Sequence, residues 1–366
     1  MPAKEATPFS LALDRRVEEG ALGTLYEKLP DDQVRCYACA HRCLIKEGLR
    51  GICKVRYNRG GSLMVPRGYV GALQCDPIEK KPFFHAFPGT DALTFGMLGC
   101  DLHCSYCQNW VTSQALRDPG ALTEPMDVSP EQLVDIAQRQ GARVVATSYN
   151  EPLITSEWAV EVFKAARPRG FMTAYISNGN ATTEVLEYIR PWTDLYKIDL
   201  KSFRDRNYRS LGGKLENILN GIQMVHAMGF WLEIVTLIIP GFNDSDEELG
   251  DIARFLSGLS ASIPWHVTAF HKDYKMQDPD NTPAETLLRA ARIGEEAGLQ
   301  YIYAGNLPGR VGRYEDTRCP RCRATLIRRI GYRILDDRLT GRGSCFNCQQ
   351  QIPGVWRTTI NAGRAN

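Results

Sequence analysis

The sequence lacks any apolar run that approaches the roughly 20 residues of a membrane-spanning helix, so it predicts no membrane partner. Its start, MPAKEATPFSLALDRR, also lacks the apolar block of a secretory signal, and we therefore expect a cytoplasmic protein. Internal repeats and low-complexity stretches are missing as well. The net charge is only +2 over 366 residues, which gives no bulk indication of a nucleic-acid partner.

Cysteine, in contrast, is abundant for such a protein. Twelve cysteines are present, and eleven of them fall into three tight groups: Cys36, Cys39, Cys43 and Cys53; Cys100, Cys104 and Cys107; and Cys319, Cys322, Cys345 and Cys348. Reducing cytosol disfavours disulfides, so thiols at these short spacings are better interpreted as metal ligands. Cys75 stands alone and is expected to be a small buried hydrophobe.

The middle of the chain alternates short β-branched apolar runs with segments of helical period. The predicted strands are 92–98, 144–149, 172–177, 195–200, 231–239, 265–270 and 301–305. Such βα units predict an α/β fold with a parallel sheet, most simply a full or partial (β/α) barrel of the TIM type. A doubly wound open sheet is the alternative, because closure is not encoded in the pattern.

Several of the intervening helices have recognisable ends. Ser129 and Gln132 predict a capping box, with Pro130 in the first turn. Asp246 is the expected cap of a later helix. These signals place the barrel core at 91–308, with a cysteine-rich N-terminal flank at 1–90 and a basic C-terminal domain at 309–366.

The C-terminal domain contains twelve arginines, no lysine and four acidic residues. Its two Cys-x-x-Cys pairs, at 319–322 and 345–348, have the spacing of two knuckles that close one tetrahedral four-thiolate site. A zinc ribbon is the expected structure, and Zn²⁺ would then supply much of its folding energy. Iron of the rubredoxin type or an auxiliary cluster is the alternative, since thiolates suit all three.

The N-terminal flank offers a second four-thiolate set in Cys36, Cys39, Cys43 and Cys53, with His41 as a substitute ligand. Structural zinc and an auxiliary iron–sulfur cluster are both compatible with these ligands. The sequence leaves the choice between them open.

The third group, Cys100, Cys104 and Cys107, occupies a single loop after the first predicted strand. Iron–sulfur clusters usually have four cysteine ligands, so three leave one iron with an open coordination position for a substrate or cofactor. A zinc site completed by His103 is the alternative. His103 is adjacent to Cys104, however, and neighbouring side chains in one loop rarely converge on one tetrahedral ion.

The spacing Cys-x-x-x-Cys-x-aromatic-Cys, with Tyr106 at the aromatic position, resembles the radical S-adenosylmethionine (SAM) superfamily. The resemblance implies a [4Fe–4S] cluster on Cys100, Cys104 and Cys107, whose fourth iron is chelated by SAM. It further implies reductive cleavage of SAM to a 5′-deoxyadenosyl radical, which abstracts hydrogen from a substrate. An electron donor such as ferredoxin or flavodoxin is implied as well.

Other strand ends carry residues that resemble SAM contacts of the same superfamily. Asn150 and Glu151 belong to Tyr-Asn-Glu-Pro at 149–152, similar to the Gly-Gly-Glu-Pro motif that binds the methionyl amine, although both glycines are replaced. Ser177 and Asn178 are similar to the ribose-contacting turn. For Asn178 and the glycine that follows it, an ordinary turn is the alternative interpretation.

Three further strand ends complete this predicted rim. Asp199 and Lys201 resemble the Asp-x-Lys of glycyl-radical-enzyme activases, with a plain ion pair as the alternative. Asn243 lies in a segment comparable to the one beside the adenine. His271 is a candidate catalytic residue, although a single histidine is more often structural.

Across almost the whole chain the sequence is similar to the radical SAM enzymes of the AmmeMemoRadiSam system. The similarity rests on these segments: 36–43, 55–58, 76–82, the three-cysteine loop, 149–152, 305–306 and 352–356. It implies partners of the Memo and AMMECR types and kinship with pyruvate formate-lyase activase. Three functions follow: radical chemistry on a small or carrier-bound molecule, installation of a glycyl radical on a partner enzyme, and, suggested by the basic tail, nucleic-acid binding through a zinc ribbon.

Overall fold

The central feature of the fold is a sheet of eight strands, seven of them parallel. A computed structural model describes residues 8–341 and 343–356, so Arg342, Arg357 and Arg364 of the basic tail lie outside the described residues. The seven parallel strands, numbered first to seventh in chain order, are Asp91–Gly96, Val144–Thr147, Met172–Ser177, Leu195–Asp199, Trp231–Ile238, Trp265–Ala269 and Ile302–Gly305. Each overlaps one of the predicted strands.

The strands follow one another across the sheet in the order of the chain. A doubly wound sheet would reverse direction at a switch point, so this order indicates barrel-type winding. Within the described part of the chain, the two edge strands pair with no partner that would close the ring. The fold is therefore a partial barrel.

One edge of the sheet is an antiparallel strand, Ala72–Pro77, which lies inside the region predicted as a flank. It leads through a short 3₁₀ turn, Ile78–Lys80, into a segment that fills the barrel interior. Phe83 and Phe87 are fully buried there against small strand residues, including Ala146 and Ala174. Small side chains on the inner face of the sheet leave the volume that these aromatic rings occupy.

Helices cover the outer face of the barrel. They are Trp110–Ser113, Pro130–Arg139, Ser156–Ala166, Thr183–Ile189, Asp205–Ser210, Leu215–Ala227, Asp246–Leu259 and Ala284–Glu296, with 3₁₀ turns at Pro152–Thr155, Arg167–Arg169, Arg190–Trp192 and Gly312–Glu315. The apolar face of these helices packs against the outward side chains of the strands in one large core.

The helix caps show where the local sequence signals were right and where one was wrong. The Ser129 hydroxyl accepts from the Gln132 amide at 3.2 Å and the Gln132 side chain accepts from the Ser129 amide at 2.8 Å, so the capping box is confirmed. Asp246, in contrast, is the first helical residue, and Ser245 is the cap, with its hydroxyl accepting from the Glu248 amide at 3.3 Å. Ser245 has the extended backbone that a cap requires.

The N-terminal region is a set of short strands packed on the barrel. A helix, Pro8–Glu18, precedes two small antiparallel sheets and a strand pair. The strands are Ala21–Leu22, Tyr57–Arg59 and Ser62–Val65 in one sheet; Tyr26–Leu29, Gln33–Cys36 and Leu44–Ile45 in the other; and Tyr69–Val70 paired with Met126–Asp127. This region shares the core of the barrel's helical layer.

The C-terminal domain is a three-stranded antiparallel sheet, Thr317–Arg318, Thr325–Ile330 and Arg333–Asp337. Its buried side chains pack against Phe84, Tyr301 and Tyr303, at the open side of the barrel. A bridge between Ala86 and Val355 joins it to the segment that fills the interior. Among the described residues, the helices are all too short or too polar to cross a membrane.

Candidate active site

The loop with Cys100, Cys104 and Cys107 connects the first parallel strand to the short helix that begins at Trp110. Gly99 opens the loop with φ +85°, and a side-chain Cβ there would lie 2.7 Å from the Cys53 carbonyl oxygen. Only glycine fits such a position without strain. The three cysteines line one cavity of about 340 Å³ at the carboxyl ends of the strands, which we call the inner cavity.

The surroundings of these cysteines suit a cluster better than a single ion. Burial raises the pKa of Cys100 well above its usual value and that of Cys104 to about 12, so the thiols stay neutral unless a bound metal compensates for their charge. Their sulfur atoms do not form a set within 4.8 Å of one another, as ligands of one ion would. Thiolates that bind separate irons of a cluster lie farther apart. The residues therefore fit a [4Fe–4S] cluster.

His103 does not complete a zinc site in this loop. Its ring packs against Gly212, where an added Cβ would lie 2.4 Å from the imidazole, and it does not line the inner cavity. Two polar groups contact the sulfurs instead: the Leu102 amide lies 3.4 Å from Cys100 Sγ, and the Ser113 hydroxyl lies 3.2 Å from Cys107 Sγ.

Glu151 is the buried carboxylate of the inner cavity, positioned by the end of the second strand. One oxygen accepts from the Ser177 hydroxyl at 2.7 Å and the Leu153 amide at 3.1 Å, and the other accepts from the Asn178 amide at 2.7 Å. Burial, followed by the charge of Asp101, raises the pKa of Glu151 to about 8. Three hydrogen bonds therefore fix the orientation of the Glu151 carboxylate, and among the described residues no cationic side chain pairs with it.

Asp101 and Asn180 belong to the same network, although the sequence analysis did not select them. The two oxygens of Asp101 accept from the side-chain amides of Asn178 and Asn180, each at 2.7 Å. Asp101 is fully buried. In the sequence it lies between Cys100 and Cys104, and this position within the cysteine motif could have identified it as a site residue. It connects the three-cysteine loop rigidly to the end of the third strand.

Tyr149 and Asn150 stand where the resembled motif has glycines. Tyr149 adopts φ +65°, a left-handed conformation that glycine accepts readily and tyrosine rarely does. The Asn150 side chain accepts from the Met97 amide at 3.1 Å. The chain thus keeps a glycine-like backbone at this turn and adds two side chains to the cavity wall.

Asp199 and Lys201 also line the inner cavity, together with Lys197, which the sequence analysis missed. The period of two along a strand places Lys197 and Asp199 on one face, with Lys201 two residues beyond the strand end, and that spacing was the available signal. Asp199 binds both lysines, at 3.3 Å to Lys201 and closer to Lys197. Burial opposes ionisation, but the two lysines lower the pKa of Asp199 to about 2.

Tyr106 lines the inner cavity with its ring edge-on to Phe242, and its buried hydroxyl has no protein partner. Two other predicted residues are not brought there. The Asn243 side chain is committed to backbone groups: it accepts from Ile239 and donates to Leu237 and Lys201, at 2.7 to 2.8 Å. It therefore shapes the loop and does not face the cavity.

His271 is exposed and lies on the rim, where its Nε2 is 3.0 Å from the Gln108 side-chain nitrogen. It lines a second, open depression of about 860 Å³, which we call the outer groove. Gln108, Asn306 and Tyr332 line both spaces and so form the boundary between them. A catalytic role for His271 stays a prediction, on the outer side of this boundary.

The C-terminal cysteines form the one group of three or more candidate ligands that lie within 4.8 Å of one another among the residues that the structure describes. Cys319 Sγ is 3.6 Å from Cys348 Sγ, and Cys322 Sγ is 3.6 Å from Cys345 Sγ. A tetrahedral ion with metal–sulfur bonds of about 2.3 Å places its sulfurs about 3.8 Å apart. The domain therefore has a four-cysteine metal site.

The N-terminal cysteines are less closely assembled. Cys36, Cys39 and Cys53 are buried, Cys43 is half-buried, and all four are free thiols, but no three of their sulfurs lie within 4.8 Å of one another. His41 Nε2 is buried without a hydrogen-bond partner. A metal at this set stays a prediction. Cys75 is half-buried in the antiparallel edge strand, less enclosed than expected.

The sequence model of the Radical SAM superfamily matches residues 95–256, which contain the three-cysteine loop and the strand ends described above. An uncharacterized protein of Methanocaldococcus jannaschii is 38% identical over 306 residues, covering 83% of this chain and 90% of that protein. A pyruvate formate-lyase-activating enzyme of Clostridium pasteurianum is 25% identical over 203 residues, covering 52% of this chain and 84% of that enzyme.

A radical SAM methyltransferase from Sphaerobacter thermophilus is similar in structure at 15% identity, with a TM-score of 0.46, over 60% of this chain and 68% of that one. The family match agrees with the site geometry: three cysteines line the inner cavity beside the fixed carboxylate of Glu151. The chain therefore belongs to the radical SAM superfamily, and is an enzyme that uses a [4Fe–4S] cluster and S-adenosylmethionine.

Proposed function

We propose that the enzyme uses the open iron of its cluster to cleave SAM reductively into methionine and a 5′-deoxyadenosyl radical, which abstracts hydrogen from a small or carrier-bound substrate. One observation carries this proposal. Cys100, Cys104 and Cys107 share the inner cavity with the anchored carboxylate of Glu151, and no fourth cysteine lines it. A cluster held there has a coordination position that only a ligand in the cavity can reach.

The residues around this position have distinct roles in the proposal. Glu151 accepts a hydrogen bond from the methionyl amine, because its carboxylate is fixed by three donors and no cationic side chain pairs with it in the part of the chain that the structure describes. Leu102, Tyr106 and Leu237 exclude water from the cluster side of the cavity. Exclusion of water protects reactive species from side reactions.

The Asp199–Lys201 pair lies on the same wall. The opposite charges of Asp199 and Lys201 stabilise each other. The pair can therefore donate and accept hydrogen bonds at the nucleoside end of SAM without a large change in solvation. Asn178 connects this wall to the loop through Asp101. The chain thus orients both ends of SAM from rigid strand ends.

Installation of a glycyl radical on a partner enzyme is the second candidate. The relative from Clostridium pasteurianum carries an activating-enzyme name, and the outer groove adjoins the inner cavity, with Gln108, Asn306 and Tyr332 lining both. A groove of about 860 Å³ is large enough to admit a polypeptide segment. We also propose cytoplasmic location, ferredoxin or flavodoxin as electron donor, and proteins of the Memo and AMMECR types as partners.

Nucleic-acid binding has less support. Two arginines of the basic domain are used within the protein: Arg329 is buried and donates to the Phe84 carbonyl at 2.9 Å, and Arg313 pairs with Glu295 at 2.8 Å. An electrostatic nucleic-acid surface needs exposed, uncompensated cations. A flat salt dependence of DNA and RNA binding is the expected result.

We propose that the N-terminal cysteines hold a third metal centre, either zinc or an auxiliary cluster. They lie directly behind the catalytic loop, because Arg117 donates to the carbonyls of Ile52 at 2.5 Å and Cys100 at 2.7 Å. Metal analysis of Cys39→Ser distinguishes the two: loss of one zinc indicates a structural ion, and loss of about four irons indicates a cluster.

The experiment for the main proposal is anaerobic. Iron and sulfide are reconstituted into the full chain, dithionite and SAM are added, and 5′-deoxyadenosine is quantified. Formation of 5′-deoxyadenosine in the wild type, and its loss in Cys104→Ala, is expected. A reduced cluster, verified by its EPR signal, that yields no 5′-deoxyadenosine would overturn the proposal. Persistence of a protein-based radical on an added partner would favour the activase.

A further inference from the structure

The wall of the inner cavity carries two groups of residues with different chemistry. One group consists of the three cysteines and Glu151. The other group consists of Lys80, Lys81, Tyr149 and Lys197. It is assembled from segments far apart in sequence: the turn that follows the antiparallel edge strand, the end of the second strand, and the inner face of the fourth.

Positive charge exceeds negative charge around this cavity. Two carboxylates each bridge two lysines: Asp76 accepts from Lys80 at 3.0 Å and from Lys81 at 3.1 Å, and Asp199 binds Lys197 and Lys201. Glu151 does not offset the excess, because its hydrogen bonds are to Ser177 and to backbone amides. Four ammonium groups therefore share two paired carboxylates.

Two of these four lysines, Lys81 and Lys197, are nearly buried. The Lys81 side chain is only 6% exposed and the Lys197 side chain only 7%. Burial lowers the pKa of Lys81, and the charges of Lys80 and Lys197 act in the same direction. Cations that are removed from water and repel each other are stabilised by anions, and among the described residues the carboxylates that pair with these lysines are those of Asp76 and Asp199.

Both lysines also keep hydrogen-bonding capacity. An ammonium group has three donors. Lys81 uses two, to Asp76 and to the Tyr149 hydroxyl at 2.8 Å, and Lys197 uses one, to Asp199. The remaining donors are on residues that line the cavity.

We propose that Lys81 and Lys197 form the substrate subsite of the inner cavity, and that it binds an anionic group of the substrate, a carboxylate or a phosphate. The proposal rests on the proposed function, since it assigns the space beyond SAM. Tyr149 holds Lys81 in place from the second strand, and its left-handed backbone sets the ring beneath the ammonium group, which lies 4.8 Å from the ring centroid.

The carboxylate of SAM is not the anion in question. Lys81 is held by Asp76 and by the Tyr149 hydroxyl, whereas Lys201 is held by Asp199. The ammonium groups of Lys81 and Lys201 are therefore positioned by different partners, and an anion at Lys81 and Lys197 should bind in addition to SAM.

The test is calorimetric titration of the reconstituted, full-length holoenzyme, saturated with SAM, at constant ionic strength. Inorganic phosphate and acetate are titrated separately, so that the two anion chemistries are distinguished. We expect saturable binding of at least one of them at a single site. Lys81→Met and Lys197→Met should each weaken that binding at least tenfold, while in Lys81→Met, which leaves the Asp199 ion pairs intact, SAM affinity stays within about twofold of the wild type.

Lys272→Met is the matched control, because Lys272 is a rim lysine paired with Asp280 at 3.3 Å and does not line the inner cavity. Its anion affinity should equal that of the wild type. The subsite would be overturned if neither anion showed saturable binding, or if both cavity variants bound the anion as tightly as the wild type. If both methionine variants fail to fold, the wild type decides: binding that SAM does not displace supports the subsite, and displacement by SAM refutes it.

The test of the anion subsite and the test of SAM cleavage can succeed or fail independently. Anion binding requires no electron and no SAM cleavage, so it can succeed when 5′-deoxyadenosine does not form. Conversely, 5′-deoxyadenosine formed without any anion site would leave the radical chemistry standing and remove the subsite alone.

Discussion

Arg56 and Glu157 form a two-point ion pair that joins the N-terminal region to the helical layer of the barrel. The guanidinium donates to both carboxylate oxygens, at 2.8 and 2.6 Å, and to the Ile154 carbonyl at 3.1 Å. The side chains are only 1% and 9% exposed. Burial alone would raise the pKa of Glu157, but Arg56 holds it below its usual value.

Arg56→Met should therefore lower the free energy of unfolding by about 3–5 kcal/mol, because it leaves the Glu157 carboxylate buried without its cation. Urea unfolding followed by circular dichroism measures the change. Arg209→Met is the matched control: Arg209 pairs with Asp205 at 2.6 Å on the surface, where such a pair contributes about 0–1 kcal/mol. Equal losses in the two variants would contradict the structural role of the buried pair.

Glu151→Gln should weaken SAM binding while the cluster remains. A hydrogen bond to a charged group contributes about 1.5–3 kcal/mol, so the dissociation constant should rise by roughly tenfold or more. Calorimetry measures the affinity and iron analysis the cluster. Glu161→Gln is the control, since Glu161 is a surface residue that pairs with Arg67. Unchanged SAM affinity in Glu151→Gln would refute its contact with the amine.

The sequence predicted the parallel strands, the three-cysteine loop and most of the cavity residues because periodicity and motif spacing are local. Lys197 was missed, although it lies on the same strand face as Asp199. A single charged residue in an apolar run has no evident role in the sequence until its ion-pair partner is known. Asn243 was selected as a SAM contact, but tertiary packing commits its side chain to backbone groups. The closeness of Lys81 to Tyr149 depends on chain segments 68 residues apart.

Folding stability should depend on pH through His85, which is buried between the barrel and the C-terminal domain. Its Nδ1 lies 2.7 Å from the Pro353 carbonyl and its Nε2 2.6 Å from the Tyr303 hydroxyl. Burial is the main reason why its pKa falls to about 4. The unfolded chain, with an ordinary histidine pKa of about 6.5, takes up the proton first as pH falls, so this stability is present above pH 6.5 and lost toward pH 4.

His85→Asn removes that titration. The excess stability of the wild type over the variant should therefore shrink by roughly 2 kcal/mol between pH 7 and pH 5, at about 1.4 kcal/mol per pH unit below 6.5. Urea unfolding at both pH values gives the difference. His266 and the buried carboxylates are common to both chains, so their contributions largely cancel. A difference that does not change with pH would contradict a neutral, buried His85.

Loss of the metal from the C-terminal domain should destabilise the barrel as well as that domain. Cys322→Ser removes one of four ligands, and we expect about one metal ion fewer per chain by mass spectrometry, with faster proteolysis of residues 316–356. Because Phe84 and Tyr303 pack against this domain, the thermal midpoint of the barrel should fall as well. Cys75→Ser, outside the site, should change neither quantity. An unaltered metal content in Cys322→Ser would mean that the four sulfurs do not hold an ion together.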